Sequence, residues 1–186
     1  MDEETTARIL THTLRALMTE GYAGLRIERI AAAAGCAKTT LYRRWPNRAQ
    51  LVVDALAPFL QPGSEPDTGN VVDDLLQFTL QNNRNQTQRE IPGRTSQRLW
   101  GVLVEPDVHE LLTVGYMASR RAMGTAILRR AIERGELPSD IDVDTILDAL
   151  AGFTFFRNAV RAMPADERTH RSLVVALVTS PPRVAS

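Results

Sequence analysis

The chain has 186 residues, with 22 basic and 22 acidic side chains, zero formal net charge and one cysteine, Cys36. That balance excludes a general polyanion binder. The lone cysteine excludes an intrachain disulfide or a cysteine-cluster metal site, and no apolar run approaches the length of a membrane span. With an acidic N-terminus lacking a signal-peptide pattern, the expectation is a soluble cytoplasmic protein needing no metal and no cofactor.

Residues 4–20 place Ala7, Leu10, Leu14, Leu17 and Met18 on one helical stripe, with acids at the start and Gly21 at the end. Residues 27–34 and 38–45 form two short helices around Gly35. Ala31 is small where they cross, Gly35 can take the positive φ that ends the first, and Leu41 faces into the angle. Lys38, Thr39, Tyr42 and Arg43 are left on the outer face, where a DNA groove could receive them. From Gly21 to Gln50 six cations stand against the single acid Glu28, giving +5 for the window and −5 for the rest. A nucleic-acid-binding head on an acidic body has this asymmetry.

Pro46 stops the second helix and Asn47 can cap the next, which runs over about 48–60. Gln61–Asn70 is a clear break and the expected hinge. A helix over 71–88 starts amphipathic, with Val72, Leu75, Leu76, Thr79 and Leu80 inward. From Gln81 to Glu90 it either continues as a solvated stretch or frays into a loop. Helices over 94–104 and 107–134 follow, the second opened by Pro106 and closed by Gly135. Asp142 can cap a helix over 143–163, Pro164 stops it, and a last helix covers about 166–179. No segment shows sustained strand alternation. The expected fold is therefore all-α with about nine helices. A helix-turn-helix domain over 1–46 leads through a connecting helix and hinge over 47–62 to a larger domain over 63–186.

A first helix, the Gly21-Tyr22 turn, I-x-x-I-A-x-x-A-G from Ile27 and T-L-Y-R-R-W-P-N-R from Thr40 together resemble the TetR/AcrR family of bacterial repressors. The likeness covers roughly residues 5–60, and Arg134-Gly135-Glu136-Leu137-Pro138 is similar to a phrase of one subgroup. It implies an all-α homodimer whose two heads read a palindromic operator in double-stranded DNA. It also implies a pocket whose small-molecule effector releases the DNA. Ala37 departs from the family's usual Ser or Thr, and alanine neither caps the helix nor touches phosphate.

The DNA-binding candidates are Arg26, Lys38, Thr39, Thr40, Tyr42, Arg43, Arg44 and Arg48. Lys38 and Arg43 are cast for base edges. Tyr42, at the family's tyrosine position, Arg44 and Arg48 are cast for phosphate, the last beside a helix N-terminus. Trp45 reads as core and Cys36 as a small buried turn residue. Phe78, Leu99, Trp100, Leu103, Leu112, Tyr116, Phe153 and Phe156 could line an effector cavity, though each taken singly reads first as core. The last helix is apolar nearly all round, so Leu150, Phe153, Leu173, Val174, Leu177 and Val178 are the dimer-interface candidates.

His109-Glu110 lacks a second histidine at Thr113, so the zinc-hydrolase motif fails, and no acid–base constellation stands out. The leading expectation is a ligand-responsive DNA-binding repressor released by a small, mainly apolar molecule. A DNA-binding regulator without a small-molecule ligand is the alternative. A helical enzyme with a helix-turn-helix-like hairpin ranks third.

Overall fold

The computed structural model describes residues 2–87 and 93–184. Helix α1 (Glu3–Gly24) is capped by Asp2, whose carboxylate accepts the Thr5 N–H at 2.6 Å. Gly21 does not end it but kinks it. At φ 73° and ψ 178° that residue sits in a region only glycine tolerates, and one more turn carries Tyr22 inward. The buried line of α1 is Ile9, Thr13 and Leu17, while Ala7 is exposed. Thr13 joins the core because its hydroxyl donates to the Ile9 carbonyl at 2.8 Å, which leaves nothing polar unsatisfied.

Helices α2 (Ile27–Ala33) and α3 (Lys38–Arg44) make the helix-turn-helix, with Gly35 at φ 66° between them. Asn47 caps α4 (Arg48–Leu56) by accepting the Gln50 N–H at 2.8 Å, and a 3₁₀ turn follows over Ala57–Phe59. The body contains α5 (Val71–Thr87), α6 (Gly93–Val102), α7 (Pro106–Leu112), α8 (Ala118–Glu133), α9 (Val143–Phe155) and α10 (Glu167–Thr179). A π turn over Thr113–Met117 joins α7 to α8, and another over Phe156–Val160 extends α9. The polar stretch after Gln81 stays helical to Thr87, and its last residues, 88–90, lie outside the described ones. Asp142 and Asp166 cap α9 and α10, as an aspartate before a helix should. After α10 the chain returns as an extended segment in which Ile141 pairs with Arg183.

Two hydrophobic cores hold the molecule. The first joins Ile9, Leu17, Ile30, Leu41, Trp45, Leu51 and Val52 of the head to Val102, Val108 and Leu112 of α6 and α7. The second gathers Val71, Leu75, Phe78, Ile127, Leu128, Ile146, Leu147, Leu150 and Val174. Gly124 is where α8 and α9 meet closely: a Cβ there would stand 2.5 Å from Leu147 Cδ2.

The break at Gln61–Asn70 is irregular, as expected, but it is not slack. Arg120 donates to the Pro62 carbonyl at 2.9 Å, Gln81 to the Ser64 carbonyl at 2.9 Å and Arg130 to the Pro66 carbonyl at 2.5 Å. The fully buried Asp74 accepts the Thr68 N–H at 2.6 Å and its hydroxyl at 2.7 Å. These bonds tie the segment to α5 and α8. No helix among the described residues is long and apolar enough to cross a membrane.

Candidate nucleic-acid interface

The helix-turn-helix sorts its side chains by face. Leu41 and Trp45 are 1% and 2% exposed and fix α3 against the first core, where Trp45 Nε1–H donates to Asp54 at 2.8 Å. Lys38, Thr39, Tyr42, Arg43 and Arg44 face solvent, and Thr40 is half-buried. The exposed set forms one surface of cations, a hydroxyl and a phenol, all suited to phosphate oxygens and base edges.

Local contacts hold several of these groups in place. Lys38 Nζ pairs with Glu28 of α2 and lies 5.5 Å from the centre of the Tyr42 ring. That hydrogen bond raises the Lys38 pKa and lowers that of Glu28. Arg29 pairs with Glu20 at 2.7 Å. Arg44 donates to the Thr6 hydroxyl at 3.3 Å and lies 5.4 Å from the Trp45 ring. Arg26 folds back on the Ala23 carbonyl at 2.8 Å. Ala37 offers no cap to α3, and only backbone closes that end, Thr40 N–H donating to the Ala37 carbonyl at 2.9 Å.

Arg48, the first residue of α4, is half-buried, with its guanidinium carbon 3.9 Å from the centre of the Tyr22 ring. It donates to the Tyr22 carbonyl at 3.4 Å. The Tyr22 hydroxyl in turn donates to Asp107, at the start of α7, at 2.7 Å. Burial and then the Asp107 carboxylate raise the Tyr22 pKa, and the phenol holds Asp107 below the usual carboxylate range. The cation that opens α4 is thus braced by the body through one aromatic ring. The sequence pattern does not announce this brace, because its partners lie 85 residues apart. Cys36 is half-buried against the first core.

The effector candidates do not gather at one point. Leu112 lies inside the first core, with Leu99, Leu103 and Tyr116 packed against it. Phe78 belongs to the second core. Trp100 meets Phe155 edge-on at 6.0 Å, and Phe153 meets His170 edge-on at 5.5 Å. Phe156 is 51% exposed: the inward line of α9 runs Leu150, Thr154, Asn158, which leaves Phe156 on the outer face. Sequence reading passed over Arg120, a buried cation among these residues. Its signal was present, since Tyr116, Arg120, Met123 and Ile127 recur at helical spacing and put a charge on an apolar stripe.

Of the six interface candidates, two are already covered within one chain. Leu150 and Val174 are 2% and 0% exposed within one chain, because α10 packs on α5 and the second core closes over both. Neither has surface to offer a partner. Leu173, Leu177 and Val178 are half-buried against the same core, and Phe153 is half-buried beside His170. The outward faces of α9 and α10 instead expose Ala151, Gly152, Val175 and Ala176.

Comparison with known proteins bears on the whole chain. Residues 9–55 match the model for bacterial regulatory proteins of the tetR family, and residues 65–177 match a tetracyclin repressor-like C-terminal domain. An uncharacterised HTH-type transcriptional regulator of Mycobacterium tuberculosis is 34% identical over 171 residues, covering 89% of this chain and 82% of that protein. The DNA-binding transcriptional repressor TetR of Mycobacteroides abscessus is 31% identical over 155 residues, covering 78% and 77%. The crystal structure of the TetR family transcription regulator SCO0332 superimposes with a TM-score of 0.63 at 33% identity, over 99% of this chain and all of that one. The chain belongs to the TetR family of DNA-binding transcriptional regulators.

Proposed function

We propose that the protein represses transcription as a homodimer on a palindromic operator and lets go when a small molecule binds its body. The observation that carries the DNA half is the outer face of α3, where Leu41 and the following Trp45 are sunk while Lys38, Thr39, Tyr42, Arg43 and Arg44 are exposed. In this reading α3 enters the major groove. Lys38 and Arg43 read base edges, Thr39 and Thr40 meet phosphate or a thymine methyl, and Tyr42, Arg44, Arg48 and Arg26 hold the backbone. A second copy supplies the other half-site through the outer faces of α9 and α10, and the effector sits in the body. It acts by binding the DNA-incompetent arrangement better.

Selection on random double-stranded DNA is the test. The expected product is a palindrome with half-sites about one helical turn apart, roughly 34–36 Å, bound with an affinity that falls steeply with salt. Arg48→Ala weakens binding alike on all sequences and lowers the salt slope by about 1, as loss of one phosphate contact should. No enriched sequence overturns the reading, and an altered base preference in Arg48→Ala moves Arg48 from backbone to base.

A further inference from the structure

Several of the body's arginines are matched with acids. Arg121 sits on Asp144 and Asp148, Arg130 on Glu65, Arg134 on Asp67, Asp74 and Glu136, and Arg171 on Asp73. Arg120 is buried more deeply than these, at 7% exposure, and has no carboxylate partner among the described residues. It donates to the Phe78 carbonyl at 2.6 Å and the Pro62 carbonyl at 2.9 Å, and it faces the Met123 sulfur at 3.9 Å. Its guanidinium carbon lies 3.7 Å from the centre of the Phe78 ring.

Carbonyl dipoles and a ring face soften the burial but cancel no charge. A guanidinium cannot shed its proton to escape, and only two of its five N–H groups meet an oxygen among the described residues. Buried charges are as a rule paired, and replacing one by an apolar side chain of similar volume is often neutral or stabilising. Tying Pro62 and Phe78 to α8 needs only N–H donors, so a full charge with no carboxylate partner among the described residues exceeds what that structural role requires. Its neighbours are amphiphilic: Phe78, Met123 and, one turn earlier on the same helix face, the phenol of Tyr116. Elsewhere in the body Trp100 Nε1 and Arg157 Nε are buried donors with no acceptor among the described residues, against one acceptor, Gln81 Oε1.

We infer that the effector is an amphiphilic organic acid whose anionic group pairs with Arg120 while its hydrocarbon part lies among the neighbouring aromatic residues. This rests on the reading of the body as an effector domain and adds the effector's charge to it. Charge-assisted pairing of this kind is worth about tenfold or more in affinity over a neutral hydrogen bond.

The test compares matched probes on the full-length protein by thermal shift: straight-chain carboxylates from hexanoate to dodecanoate, benzoate and salicylate, each beside its amide, with octylamine as the cation. At least one carboxylate is expected to raise the wild-type melting temperature, with its amide about tenfold weaker and octylamine inert. Arg120→Met should lose that shift and Arg120→Lys keep part of it. Arg121→Met, which breaks only exposed pairs, should respond as wild type does. Amides matching the acids, an undiminished response in Arg120→Met, or a wild type that ignores every carboxylate would each overturn the inference. If Arg120→Met does not fold, the acid–amide–amine comparison on wild type decides alone. Operator binding is measured separately. A protein that binds an acid but no DNA defeats the transcriptional reading and leaves this one standing, whereas one that binds operator and no acid does the reverse.

Discussion

Two sets of arginines, one on the head and one in the body, stand in opposite surroundings. On the head, Arg43 and Arg44 point to solvent with no carboxylate partner among the described residues, where the proposed function has them meet DNA. In the body, Arg121, Arg130, Arg134 and Arg171 are spent on this chain's own acids, stitching linker to α5 and α8, α8 to α9, and α10 to α5. The same side chain is a binding group where its partner is absent and a fastener where it is present. What decides its role is the neighbouring acid, and that neighbour is usually distant in sequence.

Asp74→Ala should show the largest effect. The substitution strips a fully buried carboxylate of its bonds to Thr68 and Arg134, and the loss should be about 3 kcal/mol of stability. Chemical denaturation checks it, and operator affinity of the folded fraction should not move. Arg43→Ala should do the reverse, costing about 1–3 kcal/mol of operator affinity and leaving the melting temperature alone. A fall in stability instead would make Arg43 a fastener after all.

Ala37→Ser restores a side-chain cap to α3 and should add roughly 0.5–2 kcal/mol of stability. Equal melting temperatures would mean that backbone closure already suffices there. The smallest effect expected is pH-dependent. Asp107 is held below its ordinary range by the Tyr22 hydroxyl, so this contact stabilises the protein above about pH 4 and fades as pH falls through the lowered value. The deficit of Tyr22→Phe relative to wild type should accordingly narrow on acidification. A deficit that is the same at every pH would assign it to packing.

Much of the fold was legible because local chemistry dictated it. Asn47 and Asp142 read as caps and accept the expected N–H groups, and Gly35 and Gly135 take positive φ at the helix ends they were assigned. What the pattern hides is polar residues that turn inward. Thr13 and Asp74 are buried because their polar atoms find partners, Arg120 is buried with only part of its fork bonded to described oxygens, and a hydrophobic stripe cannot list any of them. The π turn at Thr113–Met117 was equally invisible, and it divides the expected single helix over 107–134 into α7 and α8. Of the interface, the pattern could say that α10 was too apolar to stand alone, but not that α5 already covers Val174. The exposed face of α3 was readable residue by residue, whereas the Tyr22–Asp107 brace was not, since it joins distant parts of the chain.

The first core crosses the line at which a designer would cut. Val102, Val108 and Leu112 fill the underside of the head, so a fragment ending near residue 62 would leave Leu51, Val52 and Leu17 without their cover. Such a fragment should express poorly and bind DNA weakly whatever its recognition helix reads. Chimeric regulators that graft this head onto a foreign sensor should work only when α6 and α7 travel with it. The exchangeable part of this protein is therefore discontinuous in sequence, the head together with residues 93–112.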